Sequence, residues 1–265
     1  MAMRTALKRQ LSRAAGRRQA SGASLLIYHR VGGGSPDERD LPAGAFAAQL
    51  DVLDGHDVVP IDAALDRLDG GDRRPSVVLT FDDGFADVYE HAWPGLRDRG
   101  IPFTLYLAAG HVGATMQWEG STAREAGSGL AWEQLVEMAA SGLCTVGNHT
   151  FTHPRPPDLT PDELDRCSAA VEEHLGPAAR PRHFAYTWGI DVPPMHQAIR
   201  ARFRSAATGR LGRNLPGCDP MTLRRIPVRR SDPIEFFRAK LVGRLGPERA
   251  YAAAVTVAKR LGARA

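Results

Sequence analysis

The sequence predicts an α/β chain folded as a closed or nearly closed β/α barrel in one domain. Three observations predict it. Seven short apolar runs, rich in β-branched or aromatic residues, recur along the 265 residues: SLLIYH (24–29), SVVLTF (76–81), FTLYLAA (103–109), LCTVGNH (143–149), HFAYTW (183–188), FRSAATG (203–209) and RRIPV (224–228). Segments with helical periodicity separate them. The runs are also apolar almost throughout, as strands of a parallel sheet covered by helices are. Seven strand–helix units in a chain of this length favour a barrel over an open doubly wound sheet.

After the first run, PAGAFAAQLDVLDG places Phe46, Leu50 and Leu53 on one helical face. The second run ends in Asp82, Asp83 and Gly84, two acids and a turn residue where a buried strand meets the surface. DVYEHAWPGLRDRG predicts a helix stopped by Gly100. LAWEQLVEMAASG predicts the next helix, and in TPDELDRCSAAVEEHLG Thr160 stands at the N-cap with Pro161 in the first helical position. HVGATMQWEGSTAREAGSG (111–129) breaks the alternation with a long glycine-rich stretch carrying Trp118 and Glu119, the pattern of a lid or binding loop. RLGPERAYAAAVTVAKRLGARA reads as a helix outside the barrel. The expected division is a basic extension over 1–22, the barrel over 23–243 and a C-terminal helix over 244–265.

Composition is that of an ordinary soluble globular protein. Residues 1–22 hold six Arg or Lys and no acid, so removing that segment takes the net charge from +4 to −2. The basic character belongs to a tail, and the body has no reason to bind nucleic acid. The tail is expected to be solvated or loosely helical, with a weak contact to an anionic membrane as its sharper alternative. Arg17-Arg18 is a twin arginine without the apolar stretch of an export signal, and no membrane-spanning run follows. Cys144, Cys167 and Cys218 form neither a disulfide framework nor a zinc cluster. A cytoplasmic protein, peripheral at the inner membrane face, is the corresponding expectation.

In a β/α barrel, side chains at the C-terminal strand ends converge on one face. Here they include His29, Asp82, Asp83, His149, His153 and Arg225. His149 and His153 are four apart in GNHTFTHP, so one helical turn would aim both imidazoles the same way. Two such nitrogens and one carboxylate make an open zinc-type ligand set that renders water nucleophilic near neutral pH. Asp-Asp-Gly alone is more often a plain turn, and an HxxxH pair more often core or surface. Their coincidence at successive strand ends reverses that balance.

TFDDG (80–84) with HTFTH (149–153) closely resembles the first two motifs of the polysaccharide deacetylase family, metal-dependent enzymes on a distorted (β/α)7 barrel. The resemblance runs from about Leu25 to about Leu241. LLIYHRV and RRIPV…SDPIEFFRAKL are similar to its exopolysaccharide deacetylase subgroup. The resemblance implies that Asp82 is the general base and that Asp83, His149 and His153 hold a divalent metal, zinc before cobalt, nickel, manganese or iron. It implies an acetyl group removed from an N-acetylated sugar or glycoside. The backbone N–H at Trp188 would stabilise the oxyanion, with Tyr186 and Trp118 as further substrate contacts. FAYTWG has Thr187 and Trp188 where the family has proline and tyrosine, which alters the course of that loop. No late Leu-x-His supplies an acid, so His29 is the candidate, with Arg225 orienting Asp82 or a neighbouring carboxylate, or forming a plain salt bridge. Competing readings are a metal-dependent hydrolase of another C–N bond and a non-catalytic carbohydrate-binding relative.

Overall fold

All seven apolar runs become barrel strands in the computed structural model, which describes residues 2–13, 19–119 and 127–260. They are β1 (Ala23–Tyr28), β2 (Ser76–Asp83), β3 (Phe103–Leu107), β4 (Cys144–Asn148), β5 (His183–Ala185), β6 (Ser205–Leu211) and β7 (Leu223–Pro227). Every pairing is parallel and follows chain order, and β1 pairs with both β2 and β7 to close the barrel. The closure is uneven. β1 and β2 pair in register over six residues, whereas β4 and β5 meet in register only at Asn148 and Phe184.

The helices are α1 (Ala2–Ser12), α2 (Ala43–Leu53), α3 (Ile61–Asp69), α4 (Trp93–Asp98), α5 (Trp132–Ala140), α6 (Pro161–Leu175), α7 (His196–Arg200), α8 (Ile234–Leu241) and α9 (Gly246–Arg260). Strand alternation divides the core in two. Leu26, Tyr28, Leu79, Phe81, Phe103 and Leu105 point outward and pack under the helices. Leu25, Val78, Tyr106, Ala185, Ala207 and Leu223 point inward, where α3 lays Ile61, Leu65 and Leu68 against them. Asp62 of α3 stands 3.3 Å from His183 at the start of β5, so α3 closes the end of the barrel where the strands begin. The opposite end stays open for chemistry.

The helix expected over DVYEHAWPGLRDRG is split. Val88–Ala92 is a π turn in which the Trp93 N–H donates to Val88 O, and α4 follows with Pro94 in its first turn. A proline inside a continuous α-helix would clash with the carbonyl four residues back, and the wider turn relieves this.

The basic N-terminal segment also departs from expectation. α1 is docked on α8 and α9, and Lys8 is fully buried with Nζ 2.6 Å from Asp232 Oδ1. The acid that neutralises Lys8 comes from 224 residues away, which a local reading of charge cannot register. Arg17 and Arg18 lie outside the described residues, as do 120–126 of the long loop and 261–265 of the C-terminal segment. Among the described residues no helix is long and apolar enough to cross a membrane.

Candidate active site

Asp82 and Asp83 end β2, and their side chains part company at once. Val78, Thr80 and Asp82 share the inward face, so Asp82 points into the barrel. There Arg225 of β7 grips it with Nη1 2.6 Å from Oδ1 and Nη2 2.9 Å from Oδ2. The guanidinium also donates through Nε to Thr208 O at 3.0 Å, and both partners are almost fully buried. Burial alone would raise the pKa of Asp82, but Arg225, with His149 and His29, holds it below the usual carboxylate value.

Asp83 breaks the alternation with φ +76°, and Gly84 follows at φ +98°. Both lie in the left-handed region, costly for Asp83 and open to Gly84 because it lacks a Cβ. A Cβ on Gly84 would also sit 2.6 Å from Leu107 Cδ1. The double kink turns Asp83 away from Arg225 and toward two imidazoles. Its Oδ1 is 3.4 Å from His149 Nε2 and 3.6 Å from His153 Nε2. Burial works against ionisation of Asp83, but the three histidines around it, His149 foremost, pull its pKa far down.

The two histidines are not on a helical turn. Residues 149–153 form an irregular loop with Thr150 at φ +73° and His153 at φ +56°. Side chains impose this shape. Asn148 Oδ1 accepts the Thr150 N–H at 2.9 Å, and Thr150 Oγ1 accepts the His153 N–H at 3.0 Å. Glu163 of α6 accepts the N–H groups of Phe151 and Thr152 and the Thr152 hydroxyl. With the backbone donors committed to side chains, no helical ladder forms.

His149 Nδ1 donates to Ala185 O at 2.8 Å. A carbonyl only accepts, so in the neutral ring the proton sits on Nδ1 and the Nε2 lone pair faces Asp83. Against burial, Asp83 and Asp82 raise the pKa of His149, while burial pushes His153 down to about 3. Ligand atoms of Asp83, His149 and His153 lie within 4.8 Å of one another, the one such group among the described residues. Two nitrogens and an oxygen, converging within 4.8 Å and backed by a fixed tautomer, fit a divalent ion of the zinc type.

His29 follows β1 and lines a narrow cleft with Asp83, Phe85 and Trp118. Burial lowers its pKa, and Asp83 and Asp82 partly offset this. Trp118 reaches over the site, its ring 4.3 Å from that of His153. Trp188, at φ +60°, lies with its ring 5.5 Å from His153. Thr187 Oγ1 and Trp188 Nε1 both donate to Pro154 O, at 3.0 and 3.2 Å. A proline at 187 would have no hydroxyl for that bond, so this chain ties its third-motif loop directly behind His153. Tyr186 is a correction. Its ring is fully buried among Leu159, Phe184, Met195 and Phe203, outside the barrel, where it is a packing residue with no access to substrate.

A family model described as polysaccharide deacetylase matches residues 69–201, half of the chain and both histidine and aspartate motifs. The chain belongs to the polysaccharide deacetylase family. IcaB from Ammonifex degensii has a similar structure, 34% identical over 86% of this chain and 99% of its own, with a TM-score of 0.71. PplD from Streptococcus pyogenes, solved in complex with acetate, is 20% identical with a TM-score of 0.68, over 84% of this chain and 99% of its own, and attests the fold. YxkH of Bacillus subtilis (strain 168), whose name assigns it to the same family, is 29% identical over 147 residues. That match covers 52% of this chain and 46% of YxkH, so the chain spans about half the length of this curated relative.

Sequence reasoning missed Glu163, which shapes the histidine loop, and Asp37 and Arg39, which line the cleft beside His29. None carries a local signal, since a charged residue in a loop or on a helix face reads as solvated. A larger cleft of about 490 Å³ lies between the ends of α5 and α6 and the starts of β4 and β5. It lies at the end of the barrel away from the aspartates and holds no comparable ligand set among the described residues.

Proposed function

We propose that the protein is a divalent-metal-dependent hydrolase that removes the acetyl group from an N-acetylated sugar within a larger glycan or glycoside. The observation that carries this reading is the convergence of Asp83, His149 and His153 beside a separately held Asp82, in a chain of this family. Asp83, His149 and His153 would hold the ion. Bound there, it supplies Lewis acidity, which acidifies water and draws negative charge onto a carbonyl oxygen.

The remaining work falls to side chains. Asp82, ionised and oriented by Arg225, takes a proton from the attacking water. The new C–O bond forms at the acetyl carbon, and the backbone N–H of Trp188 receives the developing oxyanion. As the C–N bond breaks, His29 gives a proton to the leaving amine, so acetate and a free amino sugar depart. A pKa lowered by burial makes protonated His29 the stronger acid. Trp118 and Trp188 offer aromatic faces for the apolar side of a sugar ring.

Acetate release from N-acetylglucosamine oligosaccharides tests the reading. We expect chelation to stop release and Zn2+ to restore it. Release confined to simple N-acyl amines would move the protein to another C–N bond, and no metal uptake at all would make it a binding relative. His29→Ala is expected to lower kcat about 10²–10⁴-fold at unchanged metal content. A variant turning over near the wild-type rate would return the acid role to water.

A further inference from the structure

The geometry points to Asp37 and Arg39 as the edge that reads sugar hydroxyls in this site, making the loop between β1 and α2 its specificity element. The inference rests on the deacetylase reading for the identity of the ligand. Residues 37–40 alternate in role. Glu38 and Asp40 anchor the loop, since the Glu38 carboxylate accepts from Ser231 N and Oγ and from Arg4. Asp40, fully buried, accepts the N–H groups of Gly33 and Ser35. Alternating with these anchors, Asp37 and Arg39 turn to the cleft that also holds His29 and Asp83.

The two are locked to each other. Arg39 Nε donates to Asp37 Oδ1 at 3.1 Å, Nη2 to Oδ2 at 2.9 Å, and the Arg39 backbone N–H to Oδ1 at 2.8 Å. The side chains remain 38% and 22% exposed. Nη1 of Arg39 has no hydrogen-bond partner among the described residues, and the carboxylate keeps unused lone pairs. The cleft is therefore presented with a rigid donor beside a rigid acceptor, both charged. Adjacent hydroxyls of a sugar ring each donate once and accept, so such an edge satisfies a pair of them at little entropic cost. The same cleft is lined by Phe85 and Trp118, rings 6.3 Å apart, aromatic surface for the C–H face of the same ring. A carboxylate–guanidinium edge with aromatic walls matches a pyranose, which is polar at its rim and apolar on its faces.

Position in the chain supports a role in selectivity. Asp37 and Arg39 fall outside residues 69–201, which match the family model and contain Asp82, Asp83, His149 and His153. The general base and the candidate metal ligands lie in the shared segment, whereas His29 and Arg225 lie outside it. The reading edge is built by a segment outside it, beside His29.

Direct binding of an N-acetylglucosamine tetrasaccharide to the zinc-loaded protein, measured by calorimetry for wild type, Arg39→Gln, Arg39→Lys and Asp37→Asn, tests the inference. Each variant's metal content and thermal midpoint report folding. We expect the dissociation constant to rise about 10- to 100-fold for Arg39→Gln and Asp37→Asn, the loss typical of hydrogen bonds to charged groups. Arg39→Lys should be nearly as weak as Arg39→Gln, because an ammonium keeps charge but not the planar fork. Wild-type affinity in folded Arg39→Gln, or full rescue by lysine, would overturn the assignment. Acetate release is read separately. Arg39-dependent binding without acetate release would sink the deacetylase reading and leave the edge standing, whereas release with unchanged affinity in both variants would do the reverse.

Discussion

Asp82→Asn is expected to lower kcat by about 10²–10⁴-fold, the contribution of a positioned general base, while the purified variant still binds metal. The expectation follows from where the two carboxylates point. Asp83 Oδ1 faces His149 and His153, whereas both oxygens of Asp82 face Arg225. An amide at position 82 therefore leaves the ligand group whole but has no basic oxygen for the proton. His153→Ala removes one of three ligand atoms and should lose metal and turnover together. Metal content by mass spectrometry separates the two cases. An Asp82→Asn protein that is fully active, or one that is metal-free, would end the division of labour. The substitution should also destabilise the fold, because Arg225 is 1% exposed and loses its anionic partner. Breaking a buried ion pair from one side typically costs about 3–5 kcal/mol. Activity must therefore be compared at temperatures where both proteins are folded.

The barrel was legible because it is written in a local code. Each strand is a short apolar run, each intervening helix has its own period, and parallel strands need only chain order to find their neighbours. The metal-ligand candidates were legible through adjacency, Asp82 beside Asp83 and His149 four before His153. What adjacency could not supply was direction. The histidines converge through a loop that Asn148, Thr150 and Glu163 impose, not through a helical turn. Tyr186 misled for the same reason. It sits two residues before Trp188 in a motif-like stretch, yet the strand sends its ring outward into the core against Phe184 and Phe203. Contacts between distant segments were illegible altogether. Arg225 was marked from its strand-end position as orienting Asp82 or a neighbouring carboxylate, but its twofold grip on Asp82 depends on β2 and β7 sharing one barrel interior.

The N-terminal helix carries the second large effect, since its buried ammonium, Lys8, is neutralised by one buried acid. Asp232 Oδ1 lies 2.6 Å from Lys8 Nζ, its Oδ2 lies 2.6 Å from Lys240 Nζ, and Oδ2 also accepts the Arg229 N–H at 2.9 Å. Among the described residues Lys8 has no other carboxylate within ion-pair distance, whereas Lys240 also meets Glu248 at 2.9 Å. Asp232→Asn should thus strand a buried ammonium and destabilise the protein by about 3–5 kcal/mol near neutral pH. Two titrations bound that penalty. Burial opposes ionisation of Asp232, but Lys240 and Lys8 hold its pKa below the usual value. A carboxyl depressed in the folded state stabilises above its unfolded pKa of about 4 and loses that contribution as pH falls through the folded value. The gap between wild type and variant should therefore close in acid. Burial also lowers the pKa of Lys8, outweighing Asp232, so in the variant Lys8 sheds its proton more readily and the gap narrows again on the alkaline side. Denaturant titrations from pH 3 to 10 should show this bell, and a gap independent of pH, or below about 1 kcal/mol, would mean that α1 is not held by Asp232. Amide exchange in α1 distinguishes local release from global unfolding. Local release has a functional reading as well. Glu38 binds both Arg4 of α1 and Ser231 beside Asp232, and it stands between Asp37 and Arg39. Freeing α1 should therefore loosen the loop that lines the cleft and raise KM before it changes kcat.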